Sequence, residues 1–187
     1  MATSPFEIIA GPADVYLAAT GTAFPAVDAT PAAAWTKLGR TEGGVTVRST
    51  QTVELLMADQ YTGAQKAIRT EEGLEIEFEM ADLTLAKYAK ALNDVTVVAA
   101  AGPPSTKRIR LRLGFDVTKF AFVVRGDSPY GDWNLQYEVP LVVQVESPEP
   151  SFSREDKATL KVKYTAIEDP DAATDADRFG VLRAQDA

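Results

Sequence analysis

The fold of this chain is decided by the stretch from Gly43 to Asn93, which reads GGVTVRSTQTVELLMADQYTGAQKAIRTEEGLEIEFEMADLTLAKYAKALN. Polar and apolar residues alternate over Gly43–Arg48 and again over Val53–Met57, which predicts a β-hairpin with one buried and one solvated face. Counting by two assigns these residues to the buried face: Val45, Val47, Val53, Leu55 and Met57. Leu74–Met80 alternates strictly and predicts a further half-buried strand.

A helix is predicted directly after that strand, over residues 83–92. Asp82 is of a type favoured at the N-cap, where a side-chain oxygen accepts a hydrogen bond from a free backbone N–H. An apolar stripe follows at helical spacing, formed by Leu85, Tyr88, Ala89 and Leu92. Asn93 tolerates the left-handed conformation and is therefore expected to end the helix.

Short apolar segments elsewhere predict additional strands: Val15–Ala18, Val95–Ala99, Lys107–Leu113, Phe120–Val124, Leu135–Gln144 and Leu160–Ala166. Pro140 lacks an N–H and indicates an edge or bulge position in its strand. Strands with one helix predict a β-rich α+β domain, a sandwich or half-barrel, over residues 13–167. Residues 1–12 are expected to form an N-terminal arm, and the acidic residues 168–187 a flexible C-terminal arm. Three residues of that arm form a possible docking patch: Phe179, Val181 and Leu182.

Composition excludes several functional classes. The 187 residues contain 27 acidic and 19 basic side chains, for a formal charge of −8, which disfavours a surface that grips nucleic acid. The chain has no cysteine and no histidine, so disulfides, thiolate metal sites and imidazole-dependent catalysis are excluded. The longest apolar run, Val97–Ala101, is far below the roughly 20 residues needed to cross a bilayer, so we expect no membrane anchoring.

Charge is distributed in two opposed blocks. Residues 42–82 carry nine acidic and three basic side chains, whereas residues 83–125 carry eight basic and two acidic ones. One interpretation pairs the blocks within a subunit, with three glutamates facing three arginines on neighbouring strands: Glu75, Glu77 and Glu79 against Arg108, Arg110 and Arg112. The other places the same pairing between copies, where it would orient a homo-oligomer.

Catalytic and metal sites are poorly supported. Pairs among Glu75, Glu77 and Glu79 could resemble the carboxylates of a glycosidase, but such a stripe is more typical of a solvated sheet face. The segment from Asp175 to Gly180 resembles a calcium loop only faintly, because Phe179 occupies a ligand position. No nucleophile or phosphate-loop motif is present. We therefore expect neither an enzyme nor a bound cofactor.

The order of these elements resembles the major tail tube protein of long-tailed (siphovirus-type) bacteriophages. The resemblance rests on the hairpin, the Asp-Gln-x-x-Gly segment at residues 59–63, the glutamate-rich strand, the Leu-Thr-Leu helix start at residues 83–85, and Ser151-Phe152-Ser153 before a closing strand. It covers residues 13–171. The chain departs from the pattern at Ala64-Gln65, where something closer to Pro-Val is expected.

The resemblance implies rings, usually of six subunits, that stack into a hollow tube with their sheets joined in one barrel. An acidic lumen would let double-stranded DNA slide without specific binding, and the candidates for its lining are Glu54, Glu75, Glu77 and Glu79. The candidate inter-subunit basic residues are Arg108, Arg110 and Arg112. The termini are candidate ring-to-ring contacts, together with a loop formed by Asp59, Gln60, Tyr61, Thr62 and Gly63.

The implied location is the virion tail, and the implied partners are further copies of the chain, a tape-measure protein, a tail terminator and a distal tail protein. Two alternatives share the ring fold or the composition. One is the tube of a contractile tail, a tailocin or a secretion apparatus. The other is a monomeric β-sandwich module that binds a ligand such as carbohydrate. A carboxylate-dependent hydrolase is a third alternative.

Overall fold

The structure is a computed structural model and describes residues 11–57, 59, 61–150 and 157–185. The described part of the chain forms antiparallel strands, one α-helix (α1, Leu85–Ala91) and one 3-10 turn (Asp175–Asp177). The strands are β1 Asp14–Ala19, β2 Thr36–Lys37, β3 Thr41–Met57, β4 Ala64–Met80, β5 Val98–Ala100, β6 Thr106–Arg108, β7 Phe120–Asp127, β8 Asn134–Gln144, β9 Leu160–Ala166 and β10 Val181–Ala184. The predicted β-rich α+β class is confirmed.

Eight strands form one antiparallel sheet in the order β2-β1-β7-β8-β9-β4-β3, with β10 paired to β8, and β5 and β6 form a separate two-stranded sheet. The large sheet curls on itself. The Phe122 ring on β7 lies 6.1 Å from that of Phe78 on β4 and 4.9 Å from that of Tyr164 on β9. In a flat sheet β7 and β4 would be about 14 Å apart, three strand spacings. The aromatic cluster therefore closes a sandwich-like core.

Strand β7 is buried on both faces. Phe120, Phe122 and Val124 point into the main core, whereas Ala121 and Val123 contact a second cluster around Trp35. The segment between β1 and β2 supplies this cover, because Trp35 packs on Phe24 at 5.5 Å between ring centroids. A nearly continuous apolar run in the sequence is the expected signature of such a strand.

The predicted turn between residues 48 and 53 was wrong, because β3 and β4 each run for 17 residues without interruption. Thr50, Gln51 and Thr52 stay paired with Gly73, Glu72 and Glu71. The segment from Ser49 to Thr52 contains none of the Gly, Asn, Asp or Pro residues that favour tight turns, and threonine favours strands. The hairpin turn instead follows Met57, close to the predicted loop at residues 59–63.

The predicted helix is confirmed, but its predicted cap was wrong. Thr84 is the N-cap, and its hydroxyl accepts a hydrogen bond from the Lys87 N–H at 3.4 Å. Asp82 instead accepts hydrogen bonds from the Arg40 N–H at 3.2 Å and from Lys87 Nζ at 3.1 Å, which link the start of the helix to the residue that precedes β3. Asn93 follows the helix at φ 62°, the left-handed conformation expected of it.

The strand predicted over Lys107–Leu113 was also wrong in extent, since β6 ends at Arg108. Asn93 holds the chain beyond it in an irregular path. Its side-chain amide donates to the carbonyl oxygens of Leu113 (3.1 Å) and Asp116 (2.7 Å), and its backbone carbonyl accepts from the Thr118 hydroxyl (3.1 Å). These bonds use backbone groups that a strand partner would otherwise need.

The C-terminal segment, predicted as a flexible arm, folds back onto the sheet in its described residues up to Gln185. Strand β10 pairs with β8, and Phe179 packs on the main core. Arg183 Nε donates to the buried Glu138 carboxylate at 3.0 Å. The acidic composition of the segment gave no indication of these two contacts, the packing of Phe179 and the Arg183–Glu138 ion pair. Of the predicted docking patch, only Leu182 is more than half exposed.

Pro140 lies at a bulge, as predicted. The β7 register passes from the Phe120–Val142 pair to the Phe122–Val139 pair, so two residues of β8, Pro140 and Leu141, oppose one of β7. Strand β8 has neighbours on both sides, so the missing N–H is accommodated by the bulge and not by an edge. Across the described residues, no helix is long and apolar enough to cross a membrane.

Candidate assembly surfaces

The β3–β4 hairpin divides into two halves at the point where its third strand ends. Strand β9 pairs with β4 only over Glu75–Met80. In this near half (residues 41–49 and 74–80), β4 alternates between buried and half-buried side chains. In the far half (residues 50–57 and 64–73), β3 and β4 pair only with each other within the described part of the chain, and nearly every side chain is exposed. The far half is therefore a two-stranded ribbon.

One face of this ribbon is mostly apolar towards its tip. Val53, Leu55 and Met57 continue the face that in the near half carries the buried Phe78 and Ile76. Leu55 and Met57 are 64% and 70% exposed, and their cross-strand partners are alanines, Ala67 and Ala64. The sequence correctly assigns these residues to one face. Their predicted burial was wrong, because no described part of the chain covers these side chains.

The four acidic candidates share the opposite face of the hairpin. Glu75, Glu77 and Glu79 alternate along β4, and Glu54 follows on β3 on the same side as Arg48, the partner of Glu75. Glu75 and Glu77 bind Lys163 Nζ on β9 at 2.9 and 3.4 Å. The hydrogen bond to Glu75 raises the pKa of Lys163 above its usual value. Glu79 accepts a hydrogen bond from the Thr159 hydroxyl.

The interpretation that pairs these glutamates with the three arginines inside one subunit was therefore wrong. Lys161 and Lys163 on β9 stand opposite Glu79 and Glu77, and no ion pair of the described residues involves Arg108, Arg110 or Arg112. Sequence reasoning missed the two lysines, although the alternation in Leu160-Lys161-Val162-Lys163 was a usable signal.

The three arginines belong to a second exposed surface. Arg108 ends β6, and Arg110 and Arg112 lie in residues 109–118, which we call the arginine arch. All three side chains are exposed. The arch also carries exposed apolar side chains, with Leu111 at 73% and Phe115 at 94%. It is attached at one end by the β5–β6 pairing and at the other by the hydrogen bonds of Asn93.

The candidate inter-ring loop lies at the end of the far half. Asp59, Tyr61, Thr62 and Gly63 are exposed, whereas Gln60 falls outside the described residues. Gln65 Nε2 donates to the Gly63 carbonyl at 3.3 Å. The N-terminal arm up to residue 10 and the Ser151-Phe152-Ser153 segment also fall outside the described residues.

A groove of about 440 Å³ lies between the middle of the hairpin and the segment that leads into β10. Its apolar wall is formed by Leu74, Tyr137, Val139, Phe179 and Leu182, and Arg69 and Glu72 line it from the hairpin. Within the described residues, no cluster of three or more Asp and Glu side chains is placed to hold a metal ion. The groove can receive an apolar or aromatic group, but it contains no arranged nucleophile or acid–base pair.

The most buried polar side chains have a structural role. Gln136 Nε2 donates to the Pro25 carbonyl (2.9 Å) and to Glu138 (2.8 Å). Arg125 Nη2 donates to the Ala26 carbonyl (3.0 Å). This network holds the segment between β1 and β2 on the outer face of the sheet, and its members satisfy one another as buried polar groups must.

No protein-family model matches this chain, and no curated protein sequence matches it significantly. The fold and the two exposed surfaces define a β-rich α+β domain whose distinctive feature is an extended hairpin with an uncovered far half.

Proposed function

We propose that the chain is a structural subunit that assembles with copies of itself into stacked rings, forming the tail tube of a long-tailed bacteriophage particle. The observation that carries the proposal is the far half of the hairpin. An isolated two-stranded ribbon is at best marginally stable in water, and a long open edge invites further pairing. A sequence that keeps 17-residue strands with half their length uncovered is best explained by a partner that covers them.

Ring closure would supply that cover. Joining the hairpins of neighbouring subunits into one barrel removes the open edges, which is how closed sheets avoid uncontrolled pairing. Six subunits are the number that the resemblance implies. The exposed loop at Asp59–Gly63 would then reach the next ring, and the tape-measure protein, the terminator and the distal tail protein would be the partners of the tube.

The face that carries Glu54, Glu75, Glu77 and Glu79 is the candidate lumen. Lys161 and Lys163 reduce its charge, so Glu54, exposed and outside every described ion pair, is the strongest candidate for a free negative charge there. A weakly negative wall binds no phosphate, because it offers no exchange for the counterions of DNA. Passage without binding is the function that we propose for this face.

Negative-stain images of the concentrated, purified protein test the proposal. We expect rings or tubes of uniform width whose number rises with protein concentration. Particles of monomer size at every concentration, including in the presence of the tape-measure and terminator proteins, would contradict it. A tube from a contractile tail or a secretion apparatus would also give rings.

A second candidate function is a monomeric ligand-binding module, and the groove between the middle of the hairpin and the segment that leads into β10 favours it. The aromatic side chains of Tyr137 and Phe179 could stack on a sugar ring or another flat ligand. Isothermal titration against a panel of oligosaccharides tests this candidate. Binding that is lost on Tyr137→Ala, by a protein that stays monomeric, would favour it over the tube.

A further inference from the structure

Two of the apolar surfaces that the described residues expose lie on different elements. One is the apolar face of the far half, with Val53, Leu55 and Met57. The other is the arginine arch, with Leu111, Leu113, Phe115 and Val117. Since each is exposed in the folded chain, neither surface covers the other within one copy. Clustered exposed apolar residues of this kind are typical of protein interfaces.

The elements that carry the two surfaces have opposite formal charge, and on the apolar face of the hairpin Arg69 and Glu72 form an ion pair with each other. The far half and its loop, residues 50–73, contain four acidic and two basic side chains, for a formal charge of −2. Residues 106–118, which include the arch, contain four basic side chains and one acidic one, for a formal charge of +3. Opposite charge on two elements attracts them to each other and speeds their encounter.

The arch is also held ready for contact. The hydrogen bonds from Asn93 to the carbonyls of Leu113 and Asp116 fix its second half, and the Thr118 N–H donates to Asn93 Oδ1. Its apolar side chains nevertheless point into solvent. Fixing a loop before binding lowers the entropic cost of association, which is a property expected of a binding loop and not of a passive linker.

We propose that the arginine arch of one copy binds the apolar face of the far half of another copy. The inference rests on the proposed self-assembly and specifies its interface. Because the two surfaces differ, the contact is heterologous: every subunit offers one arch and one hairpin, and repetition of the contact produces a ring or a filament. Phe115 is the expected centre of the contact, since exposed aromatic residues dominate binding energy at interfaces.

The test uses two double variants, each with one surface disabled. L55D/M57D introduces charge on the far half, and L111D/F115D introduces it on the arch. All four side chains are more than 60% exposed, so neither variant is expected to disturb the core. Thermal unfolding within a few degrees of the wild type confirms that both have folded. V145D, at an exposed position outside both surfaces, is the matched control and is expected to assemble like the wild type.

Sedimentation velocity then measures the size of the assemblies that each sample forms. Each double variant alone is expected to remain monomeric, whereas their equimolar mixture is expected to form a dimer at twice the monomer mass and nothing larger. In the mixture, L55D/M57D supplies an intact arch and L111D/F115D an intact hairpin. A single contact therefore forms between the two variants, and no further copy can be added.

Three outcomes overturn the proposal. If the wild type assembles but the mixture stays monomeric, these two surfaces do not meet, and the proposed tube function survives. If either double variant assembles like the wild type, its altered surface is not part of the contact. If the wild type itself never assembles, the proposed function fails and the inference fails with it.

Discussion

The near and far halves of the hairpin share the same two strands but have opposite surroundings. Over Glu75–Met80, β4 is paired on both sides, and Ile76, Phe78 and Met80 are buried. Over Ala64–Gly73 its one strand partner among the described residues is β3, and its side chains face solvent. The near half thus stabilises the domain, whereas the far half contributes little to its folding. Residues that do not stabilise the monomer are available for contacts between monomers.

Truncation of a near-half residue should give the largest loss of stability. Phe78→Ala removes a buried ring that packs on Phe122 and Tyr164, and we expect a cost of about 3–5 kcal/mol. The matched change in the far half, Leu55→Ala, should cost less than about 0.5 kcal/mol because its side chain is already in water. Urea unfolding of the monomer measures both. Equal losses would remove the distinction between the halves.

Loss of the arch anchor should have an intermediate effect. Asn93→Gly keeps the left-handed backbone conformation but removes the three side-chain hydrogen bonds to residues 113–118. We expect a cost of about 1–3 kcal/mol and faster hydrogen exchange in the arch. Self-assembly should weaken as well, because the arch must now be ordered on binding. Unchanged assembly by a variant with a mobile arch would show that the arch is not the partner of the far half.

The smallest effect on stability should come from deprotonation of Lys163, which lies against the charged face of the near half. The pKa of Lys163 is raised above its usual 10.5 by the hydrogen bond to Glu75. Because the pKa is raised in the folded state, the stability that the charged Lys163 contributes is fully present below pH 10.5. It is lost as pH rises through the raised value. The urea midpoint of the wild type should therefore fall in that window, and Lys163→Met should flatten the fall. An identical alkaline profile for both proteins would exclude Lys163 as the cause.

Features that follow from a local sequence pattern were predicted correctly. Features that depend on residues far along the chain were not. The alternation of Leu74–Met80, the bulge at Pro140 and the left-handed Asn93 were predictable because each follows from the chemistry of a few adjacent residues. The burial of Leu55 and Met57 was not, because alternation assigns a residue to a face without saying what covers it. The partner of Glu77, Lys163, was likewise decided by the register with β9, 86 residues further along the chain.

The arginine arch is a second feature that local alternation predicted incorrectly. Lys107–Leu113 has the alternation of a strand, yet β6 ends at Arg108, and hydrogen bonds from Asn93, twenty residues before Leu113, hold Leu113 and Asp116 in an irregular path. The candidate sites were predicted as residue types, and the structure supplied their arrangement: four glutamates on one face and three arginines in and beside a separate exposed loop.

Sedimentation velocity of the pure wild-type protein over a rising concentration series tests the central claim most directly, since that claim is that the uncovered half of the hairpin is covered by another copy. The account predicts a concentration-dependent shift from monomer to large, regular assemblies, and loss of that shift in L55D/M57D. A single monomer boundary at every concentration, identical for the two proteins, would contradict it.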